Sequence, residues 1–275
     1  SLPDKNVGNS NYSHKILGYY IDYSIIHHLK WYEKIHKYIF NQSTILEIGG
    51  GFGSLARIIL KNNDVKYFLI DLPEVNLICN YYLQNHFPEK KIFNYKNFIK
   101  GNLKNEINNY DIFILPPNII ENEEIKFNFI INTRSFMEMT YATIQSYFKL
   151  IHKRIHTDGY FLNINKYVKS TVGEDIKFSN YPYDKFWQVI LSEKSFLQKN
   201  QHFLLTKRCK SEGNIDITLN DLKSKEFIKN DNKILNIIHL FKKITYNLLK
   251  KICISVLGPK KIKKISKIFL NFLNN

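Results

Sequence analysis

Three groups of residues in this chain have types and spacings that could do chemistry. In the first, the run Thr44-Ile45-Leu46-Glu47-Ile48 carries an acid next to its end, and Gly49-Gly50-Gly51-Phe52-Gly53 follows at once. Glycines there let the backbone reverse sharply and let a ligand approach with no Cβ in the way. A helix starting behind them offers free N–H groups. An acid beside such a turn repels phosphate and favours a ligand that carries positive charge. The second group is Asp71 with Leu72 beside it, 18 residues past Gly53. At that distance an acid accepts hydrogen bonds from ribose hydroxyls. The same residues, Asp71-Leu72-Pro73-Glu74, also read as a helix start, with Asp71 as N-cap and Glu74 closing a capping box. The third group is the polar run from Asn132 through Arg134 and Ser135 to Glu138. His14 stands apart from these, just after a Gly/Asn turn, where a side chain can reach into a cleft.

These residues need elements to position them. Ser54-Leu55-Ala56-Arg57-Ile58-Ile59-Leu60 has helical spacing, so the first group is read as strand, tight turn and helix, the opening unit of a Rossmann-like α/β domain. Two helical stretches are expected before it, over 14–23 and 24–40, with Ile25, Leu29, Tyr32, Ile35 and Ile39 on one face of the second. Asp71 ends a second strand over 67–71, and a helix follows over 74–86. Residues 110–115 form the third strand, stopped by Pro116-Pro117. Residues 126–131 form the fourth and 160–164 the fifth, separated by a helix through Ile144, Tyr147, Phe148, Ile151 and Ile155. Residues 165–183 are expected as a loop, and 186–191 with 202–207 as an antiparallel pair.

The chain has 275 residues, 44% of them hydrophobic and 15% aromatic, enough for a sizeable core and against disorder. Cys79, Cys209 and Cys253 are odd in number and far apart, with no metal-ligand spacing, which fits a reducing cytoplasm. The polar opening does not read as a signal peptide, and a start at Ser1 leads to the expectation of residues upstream. A formal charge of +16 invites a nucleic-acid partner. Its spread over a chain rich throughout in Lys, Asn and Ile argues for compositional bias instead, so no nucleic acid is expected. Residues 241–275 hold nine lysines and no acid, interleaved with Phe241, Ile244, Leu248, Ile252, Ile262, Ile265 and Phe269. Two amphipathic helices follow from that, either a peripheral contact with anionic lipid at the inner face of the membrane or a surface packed on the domain or a second subunit. The expected organisation is a helical cap over 1–43, the α/β domain over 44–210 and a basic tail over 211–275. The oligomeric state is left open.

Leu46-Glu47-Ile48-Gly49-x-Gly51-x-Gly53 resembles the first motif of class I methyltransferases dependent on S-adenosylmethionine (SAM), which carries an ammonium and a sulfonium but no phosphate. The rival is Gly51-Phe52-Gly53-Ser54-Leu55-Ala56, a G-x-G-x-x-A dinucleotide fingerprint, and Glu47 tips the balance toward SAM. With Ile70-Asp71-Leu72-Pro73-Glu74-Val75 and the run over 128–139, the chain resembles, across roughly residues 7–208, the sugar O-methyltransferases of bacterial surface-polysaccharide loci. The resemblance implies a mostly parallel seven-stranded sheet with an antiparallel last strand, an N-terminal helical lid, and methyl transfer from SAM to a sugar, nucleotide-sugar or lipid-linked glycan. It implies that Glu47, Gly49, Gly51, Gly53, Asp71, Leu72 and Asn132 hold the cofactor. Arg134 and Ser135 would meet the acceptor, Arg134 through a phosphate or carboxylate, and Glu138 or His14 would be the general base. A divalent ion between Asp111 and Asn132 is the weaker reading, with no ligand cluster behind it, and no metal is expected. The other functions weighed are methylation of another small molecule or of nucleic acid, an NAD-dependent oxidoreductase on the same loop, and a non-catalytic module recruited to membranes.

Overall fold

The computed structural model describes residues 2–8, 11–100, 103–170, 172–196 and 198–225. The lysine-rich helices expected over 241–275 lie outside them. Residues 14–23, expected as helix, form a hairpin of β1 (His14–Ile16) and β2 (Tyr19–Ile21). Leu17 and Gly18 between them both take positive φ, 53° and 87°, the two-residue reversal whose twist suits paired strands. The Tyr20 N–H donates to the Pro3 carbonyl at 2.7 Å, fastening the hairpin to the first residues of the chain. Helix α1 (Tyr23–Ile35) starts where Asp22 accepts the Ile25 N–H at 2.8 Å, a side-chain N-cap. It buries Ile25 and Ile35 of the expected face, with His27 and Trp31 beside them, while Leu29 and Tyr32 are half-buried.

Then come β3 (Thr44–Ile48), α2 (Ser54–Asn62), β4 (Lys66–Ile70) and α3 (Pro73–His86). After β5 (Ile92–Asn94), the short helices α4 (Tyr95–Lys100) and α5 (Leu103–Glu106) lead to β6 (Ile112–Leu115). Helix α6 (Pro117–Asn122), β7 (Phe127–Thr133), α7 (Tyr141–Arg154) and β8 (Ile155–Lys166) follow. The stretch expected as a long loop holds a small hairpin, β9 (Val168–Lys169) with β10 (Ile176–Lys177). The antiparallel pair is β11 (Trp187–Lys194) and β12 (Gln201–Arg208), and α8 (Ile215–Lys223) closes the described chain.

The fold is mixed α/β around a sheet of order β11-β12-β8-β7-β3-β4-β6-β5. From β5 to β8 all neighbours run parallel, and β12 runs against both β8 and β11. The sheet has eight strands rather than the expected seven, because Ile92–Asn94 pairs with β6 and adds an edge. Alternating side chains face opposite layers. Ile45, Tyr67, Leu69 and Ile131 pack with Trp31 of α1, Leu55 of α2 and Leu83 of α3. Leu46, Phe68, Ile130 and Phe161 pack with Ile119 of α6, Phe148 of α7 and Leu219 of α8. Cover on both faces explains why these strands read as unbroken apolar runs. Each large side chain fully buried this way contributes about 1.5–3 kcal/mol. Helix α8 buries Ile215, Leu219 and Leu222, and the Val189 N–H donates to Asn214 Oδ1 in front of it at 2.7 Å. The packed body therefore runs on past residue 210. No helix among the described residues is long and apolar enough to cross a membrane.

Candidate functional site

Strand order reverses between β3 and β7, and open α/β sheets take ligands in the crevice at the carboxyl ends beside such a switch. The glycine turn sits there, its start held by the Gly49 N–H donating to the Ile70 carbonyl at 2.8 Å. A Cβ on Gly49 would stand 2.3 Å from that of Ser135, so only glycine lets the ends of β3 and β7 come this close. Gly51 faces open space instead; what requires glycine is its φ of 55°. Gly53, at the N-cap of α2, lies over Cys79 and Leu83 of α3.

Two carboxyl groups pack on this turn. Glu47 is 2% exposed, accepts a hydrogen bond from the Tyr67 hydroxyl at 2.9 Å, and lies 3.3 Å from where a Gly50 Cβ would be. Burial, opposed by the Tyr67 hydrogen bond and assisted by the charge of Asp71, pushes its carboxyl up to about 8. Asp71 accepts the Gly51 N–H through Oδ2 and the Leu72 N–H through Oδ1, both at 2.8 Å. The capping box does not form: α3 begins at Pro73, its N-cap is Leu72, and no side chain caps it. Asp71 thus serves the glycine turn, and each oxygen keeps a lone pair for a further donor. Leu72 is exposed beside it.

Asn132 and Ser135 are bound into the seam between strands. Fully buried, Asn132 donates through Nδ2 to the Ile48 carbonyl at 3.0 Å and to Ser135 Oγ at 2.5 Å. Its Oδ1 accepts from Asn165 at 2.8 Å, and Asn165 also donates to Asn163 Oδ1 at 2.7 Å. Ser135 Oγ donates in turn to the Ile48 carbonyl at 3.1 Å. Every polar atom of the Asn132 side chain is engaged, which makes it a staple for β3, β7 and β8 rather than a free ligand group. Glu138 is exposed at the end of a one-turn 3-10 helix, on the rim. His14 is exposed on β1, its backbone paired with Ile21. Asp111 accepts the Lys91 N–H at 2.8 Å just before β6, at the end of the sheet opposite Asn132. The two cannot share an ion. Among the described residues no three His, Cys, Asp or Glu gather as a metal site.

Sequence reasoning missed the histidine that the N-terminal segment brings to the turn. His28 Nδ1 lies 2.9 Å from the hydroxyl of Ser54, the first residue of α2. Burial, with charge from Arg134 and Arg57 among the lesser causes, pulls its imidazole down to about 3, and the neighbouring His27 falls to about 4 by burial and Arg134. Arg57, 3% exposed on α2, also bears on Tyr82 of α3. The only signal for this cluster was a pair of adjacent histidines on the helix before β3.

No protein-family model matches the chain, and no curated protein matches it. Among solved structures it is similar to mitomycin 7-O-methyltransferase MmcR, with 14% identity and a TM-score of 0.49 over 68% of this chain and 54% of that one. It is similar to the pyocyanin biosynthetic protein PhzM, with 10% identity and a TM-score of 0.40 over 68% and 55%. A third is magnesium protoporphyrin IX methyltransferase (ChlM) from Synechocystis PCC 6803 with bound SAM, with 8% identity and a TM-score of 0.46 over 67% and 78%. The chain spans about half the length of the first two, 54% and 55%. Likeness at this level concerns the fold alone, so function has to come from the site.

Proposed function

We propose that the chain is a SAM-dependent O-methyltransferase acting on a hydroxyl of a sugar, nucleotide-sugar or lipid-linked glycan in surface-polysaccharide or glycan assembly. The observation that carries the cofactor is the pair of carboxyl groups on the glycine turn. A dinucleotide would set its pyrophosphate against the Asp71 carboxylate on the Gly51 N–H, an unfavourable placement for phosphate, and would give the buried carboxyl of Glu47 beneath Gly50 no reason to ionise. A ligand with an ammonium and a sulfonium reverses that sign. The sugar acceptor rests on the likeness of residues 128–139 to the polysaccharide O-methyltransferases, and a cytoplasmic setting goes with it.

The donor set fits this cofactor. The spare lone pairs of Asp71 suit ribose hydroxyls, Glu47 can ionise against a positive charge brought above the turn, and the open face of Gly51 lets the backbone approach closely. SAM, when bound, supplies an electrophilic methyl group. The chain's own task is to hold the acceptor oxygen in line with it and to keep water out. That position lies past the end of β7, where Arg134 and the rim carboxylate of Glu138 stand. In this reading Glu138 orients the hydroxyl or accepts its proton.

Calorimetry with SAM, its demethylated product S-adenosylhomocysteine (SAH) and NAD tests the cofactor. SAM and SAH should bind and NAD should not. Asp71→Ala should weaken SAM binding by about 1–2 kcal/mol, the usual cost of leaving buried hydroxyls unpaired. Binding of NAD in place of SAM would sink the proposal, and an unchanged affinity in the variant would remove Asp71 from the site.

A further inference from the structure

We infer that Arg134 is the seat of an anionic group on the acceptor, so that the sugar methylated here carries a phosphate or a carboxylate. The inference rests on the methyltransferase reading and narrows its substrate.

Arg134 is the first residue after β7, at the switch point, and the next residue is the serine fitted against Gly49. Its φ is 67°, in the left-handed region, which a long side chain keeps only when its surroundings impose it. They do: the Arg134 N–H donates to the Ile164 carbonyl at 2.7 Å, and Asn132 and Ser135 are held to Ile48 on either side. This backbone aims a guanidinium at a place where the protein supplies no acceptor for it. Arg134 Nε is buried without a hydrogen-bond partner, and none of the ion pairs among the described residues includes Arg134.

The surroundings leave its charge uncancelled. His27, 1% exposed on α1, has its Nε2 buried and unpartnered. Its imidazole is neutral, lowered by burial and then by Arg134 itself, and in the tautomer with the proton on Nε2 it offers an N–H. His28 feels both Arg134 and Arg57. The acid nearest in sequence on this side, Asp22, is engaged as the N-cap of α1. The unpartnered Arg134 guanidinium beside a neutral, unpartnered imidazole forms a receptor for an oxyanion. A guanidinium fork matches phosphate or carboxylate geometry, and a buried donor left without an acceptor is unfavourable.

The carboxylate of the cofactor's own methionine has the same chemistry. Position assigns the seat to the acceptor: Glu47, Gly51 and Asp71 gather at the ends of β3 and β4, whereas Arg134 extends from β7, on the other side of the switch. The test uses the full chain saturated with SAH, inorganic phosphate as the probe, and the imidazole resonances of His27 and His28 as the readout alongside calorimetry. Phosphate should bind the SAH-loaded protein and shift both rings. Arg134→Met should weaken phosphate by about tenfold or more, the scale of one charge-assisted contact, while SAH affinity holds, and Arg134→Lys should recover part of it. Arg134→Gly, free to take a positive φ, should lose phosphate equally, separating charge from backbone strain. Phosphate competing with SAH would give the seat to the cofactor and overturn the inference, as would equal phosphate binding in wild type and variants. Failure of SAH to bind would instead strike the methyltransferase reading.

Discussion

Burial holds the Glu47 carboxyl near 8 against an ordinary 4.5, so over most of the neutral range the ligand-free protein keeps a proton there. A cationic ligand above the turn favours the ionised form, and its binding should expel that proton. Apparent SAM affinity should therefore rise about tenfold per pH unit toward pH 8 and then level off. Calorimetry in buffers of different ionisation enthalpy should register proton release approaching one per site. Glu47→Gln should bind more weakly, with no release and no pH slope. Because the folded-state value lies above the unfolded one, the carboxyl costs stability as pH rises from 4.5 toward 8. The same variant should therefore melt higher than wild type at pH 8. A wild-type affinity that ignores pH would show that Glu47 does not sense the ligand.

At the scale of elements, the seam between β3 and β7 is set by how closely Gly49 approaches Ser135. Gly49→Ala places a methyl 2.3 Å from the serine Cβ, and overpacking of that kind costs about 1–3 kcal/mol. Urea unfolding should show that loss, and Ser135→Gly in the same chain should restore part of it. No rescue would place the strain in the left-handed backbone of Gly49 alone. What could be read from the sequence divides along the same line. Strand, glycine turn, helix and the acid of the second strand lie within one short stretch, and local spacing was enough to find them. Asn132 and Ser135 were found as residues, but their bonds across the seam were not, because their partner Ile48 lies 84 and 87 positions away. The first hairpin was read as helix because its few residues suit either period, and a reversal through Leu17 at positive φ leaves no mark in composition.

Across the whole molecule, several histidines are buried and neutral. His27 lies at about 4 and His28 and His202 at about 3, each lowered first by burial. His202 is fully enclosed between Tyr167 and Ser192, with 3.1 Å contacts on both nitrogens. An unfolded chain protonates these rings near 6.5 and the folded one does not, so their contribution is complete above 6.5 and is lost as the pH falls toward 4. For His27 and His202, both buried, the loss should be on the order of 1 kcal/mol per pH unit each. Thermal melts from pH 7.5 to 4.5 should show the midpoint dropping steadily, and less steeply in His202→Asn. A flat profile would mean that these rings are charged in the folded state.

The place of β12 has a consequence for how the protein is made. It is the last described strand to be synthesised, yet it lies inside the sheet, and within the sheet β11 hydrogen-bonds to nothing else. A nascent chain that has emerged only to residue 199 carries β8 with one bare edge and β11 with no sheet to join. Exposed edges of that kind recruit other chains. Such a fragment, stalled or cleaved, should aggregate, and the chain should become soluble once residues 201–208 slide between the two waiting strands. Expression of chains ending at 199 and at 225 would show this in the soluble fraction. Equal solubility would mean that β8 is covered some other way.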